Sequence, residues 1–233
     1  MGGYDLNKIK QEQIKYAKKL IIKDDFEEIK LIAGIDQAYH KNKIISAIVV
    51  LEFPSMKIIE KKYSITDSKM PYIPGFMGYR ESAVVIDAFN KLENQPDLLM
   101  FDANGILHPR KFGLASQVAL SLDKPAIGVT KKLICGEVKD DKILIEDDVR
   151  GKMIKIKEQA KPLIVNPAHK ISIRSAVDFV MKTNVPPHKQ PEPLHVAHRF
   201  ADKIRKNLVD EDNKNTQPEI TQTEVKDSSQ IEG

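Results

Sequence analysis

Residues 97–113 read DLLMFDANGILHPRKFG. Four apolar residues, Leu98 to Phe101, run into a single carboxylate, Asp102; a glycine-containing turn follows, then His108, Arg110 and Lys111. A short apolar run bounded by turn signals reads as a buried strand. Its flanks extend the pattern: residues 80–92 and 112–122 have helical spacing, and residues 126–129, after Pro125, form another apolar run. Helices alternating with buried strands imply parallel pairing through right-handed crossovers.

Further upstream the period changes. Residues 30–38 and 43–53 read as strands joined by a tight turn at His40-Lys41-Asn42, and residues 57–65, after Pro54-Ser55, as a third, more exposed strand. Three successive strands with short turns predict an antiparallel meander. Meander first and helix-linked parallel strands second is the order of a ribonuclease-H-like α/β fold, a mixed sheet flanked by helices. Ahead of it, residues 5–22 predict an amphipathic helix with Asp5 as cap and Leu6, Ile9, Ile14, Ala17 and Ile21 as its apolar stripe. Beyond it, residues 142–146, 153–156 and 162–166 predict short strands. Residues 172–182 and 193–207 predict helices, separated by the proline-rich link VPPHKQPEP.

The chain has 233 residues, 41% of them hydrophobic, enough for one sizeable core. Its net charge of +4 is unevenly spread: residues 210–233 carry seven acids and two lysines, a net of −5, which leaves the body at +9. Such a body suits a polyanionic partner. The reading is one catalytic domain over residues 1–209 and an acidic, disordered tail over 210–233. Cys135 is the only cysteine, so a disulfide within the chain and a thiolate zinc site are both excluded. No apolar run approaches the length of a membrane span and MGGYDLNKIK carries no apolar signal core, so a cytoplasmic protein without membrane partners is expected.

Three carboxylates fall where such a sheet converges. Asp36 interrupts the first strand, Asp102 ends the fourth, and Glu81 opens the helix between them. Carboxylates gathered in a poorly hydrated site repel, and one takes up a proton unless a cation intervenes. Oxygen ligands without thiolates suit Mg²⁺, with Mn²⁺ as substitute. Taken singly, each acid also reads as an ordinary strand or helix terminus; the set of three in fold order favours the metal.

The blocks PYIPGFMGYRE (71–81), FDANGILHPRKFGLAS (101–116) and PAIGVTKKLICGE (125–137), extended by AGIDQAY (33–39) and PEPLHVAHRFAD (191–202), resemble the endonuclease V family of repair nucleases. The likeness spans roughly residues 5–205. It implies a metal-dependent endonuclease that recognises hypoxanthine, the base of inosine, and hydrolyses the second phosphodiester bond on its 3′ side. By resemblance Asp36, Glu81 and Asp102 hold the metal, while His108, Lys131 and His198 lie near the scissile phosphate. Tyr72 becomes the wedge that fills the gap left by a flipped base. Pro74, Gly75, Ala103, Gly105 and Arg110 belong to the substrate side. A base plate of this kind is worth roughly 1–3 kcal/mol of stacking, and Arg110, Lys111 and Lys131 offer salt-sensitive phosphate contacts.

Two residues depart from the family pattern. Ala103 replaces a glycine directly after the aspartate, where a methyl group reshapes the base pocket, and His195 replaces an arginine. His195 and His198 share an i, i+3 spacing, which without a third ligand reads as two surface histidines. His40, His169 and His188 carry no assigned chemistry. Three readings stand: a nuclease for inosine-containing DNA acting as a monomer; a ribonuclease-H-like nuclease with another target, such as inosine in RNA; and a non-catalytic binder. The intact acids argue against the last, and the intact PYIPG block favours DNA.

Overall fold

The computed structural model describes residues 4–157 and 159–216. Among them, nine strands form one sheet in the order β3-β2-β1-β4-β5-β9-β8-β7-β6. The meander consists of β1 (Leu31–His40), β2 (Lys43–Glu52) and β3 (Ile58–Asp67). Pairing of β1 with β2 runs from Leu31 opposite Glu52 to His40 opposite Lys43, so the turn is Lys41-Asn42 and β1 ends two residues later than the sequence pattern suggested. The helix α2 (Met77–Asn90), β4 (Leu98–Phe101), α3 (Leu114–Leu122) and β5 (Ala126–Thr130) follow, with β1, β4 and β5 parallel. This is the ribonuclease-H-like mixed sheet that the sequence implies.

The sheet then grows by antiparallel strands. β6 (Glu137–Lys139), β7 (Lys142–Ile145), β8 (Asp148–Ile154) and β9 (Leu163–His169) zigzag back until β9 pairs with β5. β6 is exposed throughout and has no alternation to betray it. β8 begins five residues before the apolar run expected at 153, because its first residues carry Asp148 and Arg150.

Helices cover both faces. On one, α2 and α3 bury Val85, Ala88, Leu114 and Val118 against Ala33, Ile35, Leu99 and Phe101. On the other, α4 (Ile173–Lys182) covers Met100, Ile127 and Val165, and α5 (Glu192–Thr216) lies along β1 and β2. Because alternate residues of a strand face opposite sides, β1 presents Ala33 and Ile35 to α2 and α3, and Gly34, Asp36 and Ala38 to α5.

Three sequence expectations are corrected here. The N-terminal helix, α1 (Leu6–Ala17), is capped by Asp5 through Lys8 N–H but stops well before residue 22. The chain instead turns along the sheet, where Ile21 N–H donates to His169 Nδ1 (3.2 Å) and its carbonyl accepts from Lys170 N–H (2.6 Å). The buried face of α1 contains Gln13 and not Ile14, which is exposed, as the 3.6-residue period running from Leu6 through Ile9 to Ala17 requires. Finally, the folded body does not end at 209: α5 continues through 210–216, held there by Asp212, which binds His40 Nε2 (2.7 Å) and Lys41 Nζ (2.5 Å). The rest of the expected tail, 217–233, lies outside the described residues. No helix among the described residues is long and apolar enough to cross a membrane.

Candidate active site

The site begins with a close approach. A Cβ on Gly34 would sit 1.9 Å from the carbonyl oxygen of Pro193, so only glycine lets the first turn of α5 press onto β1. From there, two residues of strand advance about 6.6 Å and five residues of helix about 7.5 Å. His198 therefore lands over Asp36, and its Nδ1–H donates to Asp36 Oδ2 at 2.7 Å. Asp36 Oδ1 accepts from Gln37 N–H (2.8 Å). The outer edge of the imidazole stays open, since the His198 side chain is 60% exposed.

The parallel register brings the second acid alongside. Ile35 pairs with Phe101, and Asp102 N–H donates to the Ile35 carbonyl (3.1 Å), so Asp36 and Asp102 come next on neighbouring strands. Burial raises the Asp36 carboxyl, against the opposing hydrogen bond from His198; burial and then the Asp36 charge raise Asp102. Lys131, directly after β5, draws both down again.

Glu81 comes from the other layer. It does not open its helix, as the sequence suggested, but sits one turn inside α2 because the helix starts at Met77. It is fully buried, and burial raises its carboxyl. Tyr39 O–H and Arg80 Nη1 both donate to Oε1, at 2.8 and 2.9 Å, while Oε2 is buried without a partner. Among the described residues no three His, Cys, Asp or Glu side chains are gathered tightly enough to hold an ion as they stand. The donor chemistry nevertheless fits a hard cation: three desolvated carboxylates, one with an orphaned oxygen, and no thiolate.

Beside the acids lies a cavity of about 270 Å³, bordered by Gly75, Asp102, Ala103, Asn104, His108 and Lys131. That is just below the roughly 300–1,000 Å³ of sites for drug-sized ligands. The loop that leads into Gly75 carries Tyr72, 62% exposed, and Pro74, neither of which lines the cavity itself. Gly75 has φ +80°, a left-handed conformation that favours glycine. Ala103 is a buried member of the core cluster with Ala115 and Ala168, so its methyl group is absorbed by packing even though the residue borders the cavity. Gly105 lies behind this wall, with its N–H bound by Asn166 Oδ1 (2.6 Å).

Two expected roles change. His108 has both ring nitrogens committed: Nε2–H donates to the Gly75 carbonyl (3.1 Å) and Nδ1 accepts from Arg110 N–H (3.2 Å). Burial, with the Arg110 charge beside it, lowers its pKa to about 4. Arg110 is equally occupied and is no open phosphate contact. Its Nη2 donates to the Gly75 carbonyl (2.8 Å), its Nε to Gln13 Oε1 (2.6 Å), and its guanidinium lies over Phe76. Lys111 pairs with Asp148. The motif that looked like a phosphate clamp is the brace of the Gly75 turn.

His195 and His198 do not converge. The His195 ring stacks on His188 at 3.6 Å, and His188 binds Glu192 (2.5 Å). Sequence reasoning passed over four supporting residues: Tyr39; Gln13, whose Nε2 donates to the Gly75 carbonyl (3.0 Å); Arg150, whose Nη1 donates to the His108 carbonyl (3.2 Å); and Asn166. The available signal was a polar side chain inside an otherwise apolar period, as in LIVNPAH.

The family model described as Endonuclease V matches residues 14–199. The endonuclease V of Dictyoglomus thermophilum is 36% identical over 209 residues, covering 86% of this chain and 90% of the relative. Among solved structures, the endonuclease V of Bacillus subtilis superposes with a TM-score of 0.82 at 25% identity, covering 90% of this chain and 95% of that one. The endonuclease V of Ciona intestinalis, in complex with a 24mer DNA containing an inosine followed by a ribo-adenosine, shares the fold with a TM-score of 0.78 at 24% identity, covering 87% of this chain and 98% of that one.

Proposed function

The chain belongs to the endonuclease V family of nucleases, and from that premise we propose that it is a metal-dependent endonuclease for DNA containing deoxyinosine. On this reading it recognises hypoxanthine and hydrolyses the second phosphodiester bond 3′ to the lesion. The observation that carries the reading is the adjacent pair of Asp36, buried, and Asp102, partly buried, with His198 on one side and the cavity on the other. The Ciona intestinalis relative bound to inosine-containing DNA supports the class of substrate.

Asp36, Glu81 and Asp102 would hold the ion, Mg²⁺ or Mn²⁺ in its place. When bound, such a cation lowers the pKa of a water and offsets charge on the phosphate. The chain supplies the rest. Asp36 fixes His198 so that the outer ring nitrogen faces the solvent side, where it takes or returns a proton. Lys131 reaches a phosphate oxygen beside Asp102. The cavity receives the flipped base, whose extraction costs a few kcal/mol and least when the base is mispaired. Tyr72, exposed on the loop before Gly75, fills the vacated stack.

A labelled duplex with one deoxyinosine, incubated with Mg²⁺ or EDTA, tests this for the wild type and Asp36→Ala. The expected result is a metal-dependent nick one nucleotide removed from the lesion on its 3′ side, lost in the variant. An intact duplex beside a cut inosine-containing single-stranded RNA would move the substrate to RNA. No cleavage of either with Mg²⁺ or Mn²⁺ would overturn the proposal.

A further inference from the structure

We propose that Asn166 is a positioning residue that sets the wall of the base cavity, and with it the preference for hypoxanthine; this rests on the reading of that cavity given above. Asn166 lies within β9, 0% exposed, in a run that is buried from Leu163 to His169. A primary amide taken out of water costs free energy unless it is hydrogen-bonded, and this one ties β9 to two other segments. Its Oδ1 accepts from the N–H groups of Gly105 (2.6 Å) and Leu107 (3.3 Å), and its Nδ2 donates to the carbonyl of Gly128 (3.1 Å), its ladder neighbour on β5.

The segment 103–107 belongs to no strand, so its amides need partners from elsewhere. Ile106 N–H finds the Pro167 carbonyl (2.9 Å), and Asn166 takes the amides on either side of it. The fit beneath is tight. A Cβ on Gly128 would lie 2.4 Å from the Ala103 carbonyl oxygen and 2.7 Å from the Gly105 nitrogen. Residues just before this staple, Asp102, Ala103 and Asn104, and the one just after, His108, border the cavity. One side chain thus fixes both the cavity wall and the strand end that presents Asp102.

Hypoxanthine and adenine differ only at one ring edge, a carbonyl with an N–H against an amine with a lone pair. Telling them apart requires polar groups held within about 0.5 Å of their working positions. A wall carried by a loop gains that precision from the strand-borne amide behind it.

Binding in EDTA isolates the effect from cleavage. Fluorescence anisotropy would compare three labelled duplexes carrying hypoxanthine, adenine or an abasic analogue at one position. The abasic duplex places no base in the cavity, so it reads the phosphate and scaffold contacts alone. For the wild type, hypoxanthine binds tighter than either control. In Asn166→Ala the hypoxanthine-over-abasic ratio falls about tenfold, the effect of leaving two buried amides unpaired, while affinity for the abasic duplex changes less than about twofold. Asn166→Asp, held protonated by burial, keeps the acceptor for both amides, donates its O–H to the Gly128 carbonyl and restores most of the ratio. If Asn166→Ala does not fold, Asn166→Ser carries the test, since its hydroxyl is too short to span the gap. A ratio unchanged in the folded Ala or Ser variant overturns the inference, as does a parallel fall on the abasic duplex. A wild type with no preference for hypoxanthine overturns the cavity reading itself, and this inference with it.

Discussion

His198 hangs from α5 with its side chain 60% exposed and one nitrogen bound to Asp36, whereas His108, 4% exposed in the 102–113 turn, has both nitrogens bound to backbone. Both were assigned to the scissile phosphate by resemblance. The α5 side leaves a nitrogen facing solvent and backs it with a carboxylate. The turn consumes its histidine to close the Gly75 loop. A histidine carries protons only where its second nitrogen has somewhere to send them, and burial that lowers the pKa to about 4 leaves His108 neutral at ordinary pH.

The sharpest way to break this contrast is His198→Asn. Asparagine keeps an N–H toward Asp36 and deletes the outer nitrogen. The expected loss in kcat is roughly 10²–10⁴-fold, the range for a proton-transfer group, with binding to the inosine duplex in EDTA little altered. A variant that cleaves at near wild-type rate would remove His198 from the chemistry and put the α5 side on a par with the turn.

For His108 the expected effect is on stability first. His108→Ala leaves the Arg110 N–H without its partner and removes one of three donors to the Gly75 carbonyl, at a cost of about 1–3 kcal/mol. In a domain of this size that lowers Tm by roughly 2–12 °C. The pH dependence follows the same cause. The folded state binds the His108 proton only near pH 4, the unfolded chain already at 6.5, so the unfolded state holds more protons in between. The stability from a neutral His108 is present above pH 6.5 and is lost as pH falls toward 4, on the order of 3 kcal/mol over that window. His108→Gln, which can donate and accept without titrating, flattens the Tm-against-pH curve there. An unchanged curve would mean that His108 is as open as His198.

The contrast also marks what could be read in advance. The meander, the parallel strands and the neighbourhood of Asp36 and Asp102 were legible because apolar runs ending in one carboxylate leave few alternatives. The role of His108 was not, because spacing says nothing about which ring nitrogen is bound. Nor was the brace from Gln13, 62 positions from Gly75, or the approach of Tyr39 to Glu81 across two layers. β6 and the start of β8 carry polar residues on the exposed end of the sheet, where pattern fades. The acidic residues 210–216 looked like the start of a solvated tail because their partners, His40 and Lys41, lie at the far end of β1.

The smallest expected effect concerns the helix that carries His198. Its first turn is locked where Pro193 meets Gly34, a contact that tolerates no side chain. Its last turns are pinned by Asp212 at the β1–β2 turn, in one pair with the largely buried His40 and one with the exposed Lys41, Asp212 itself being partly open to solvent. Pairs with a solvent-exposed member contribute little to global stability, and helix ends open locally, without the rest of the domain. Asp212 lies 14 positions beyond His198, about 21 Å along the helix. Asp212→Ala is therefore expected to speed hydrogen exchange at residues 209–216 while leaving Tm and the rate of cleavage where they were. Should cleavage fall with the faster exchange, His198 would be held by the whole length of α5 and not by its packed beginning, and the open histidine would be as dependent on distant bracing as the buried one.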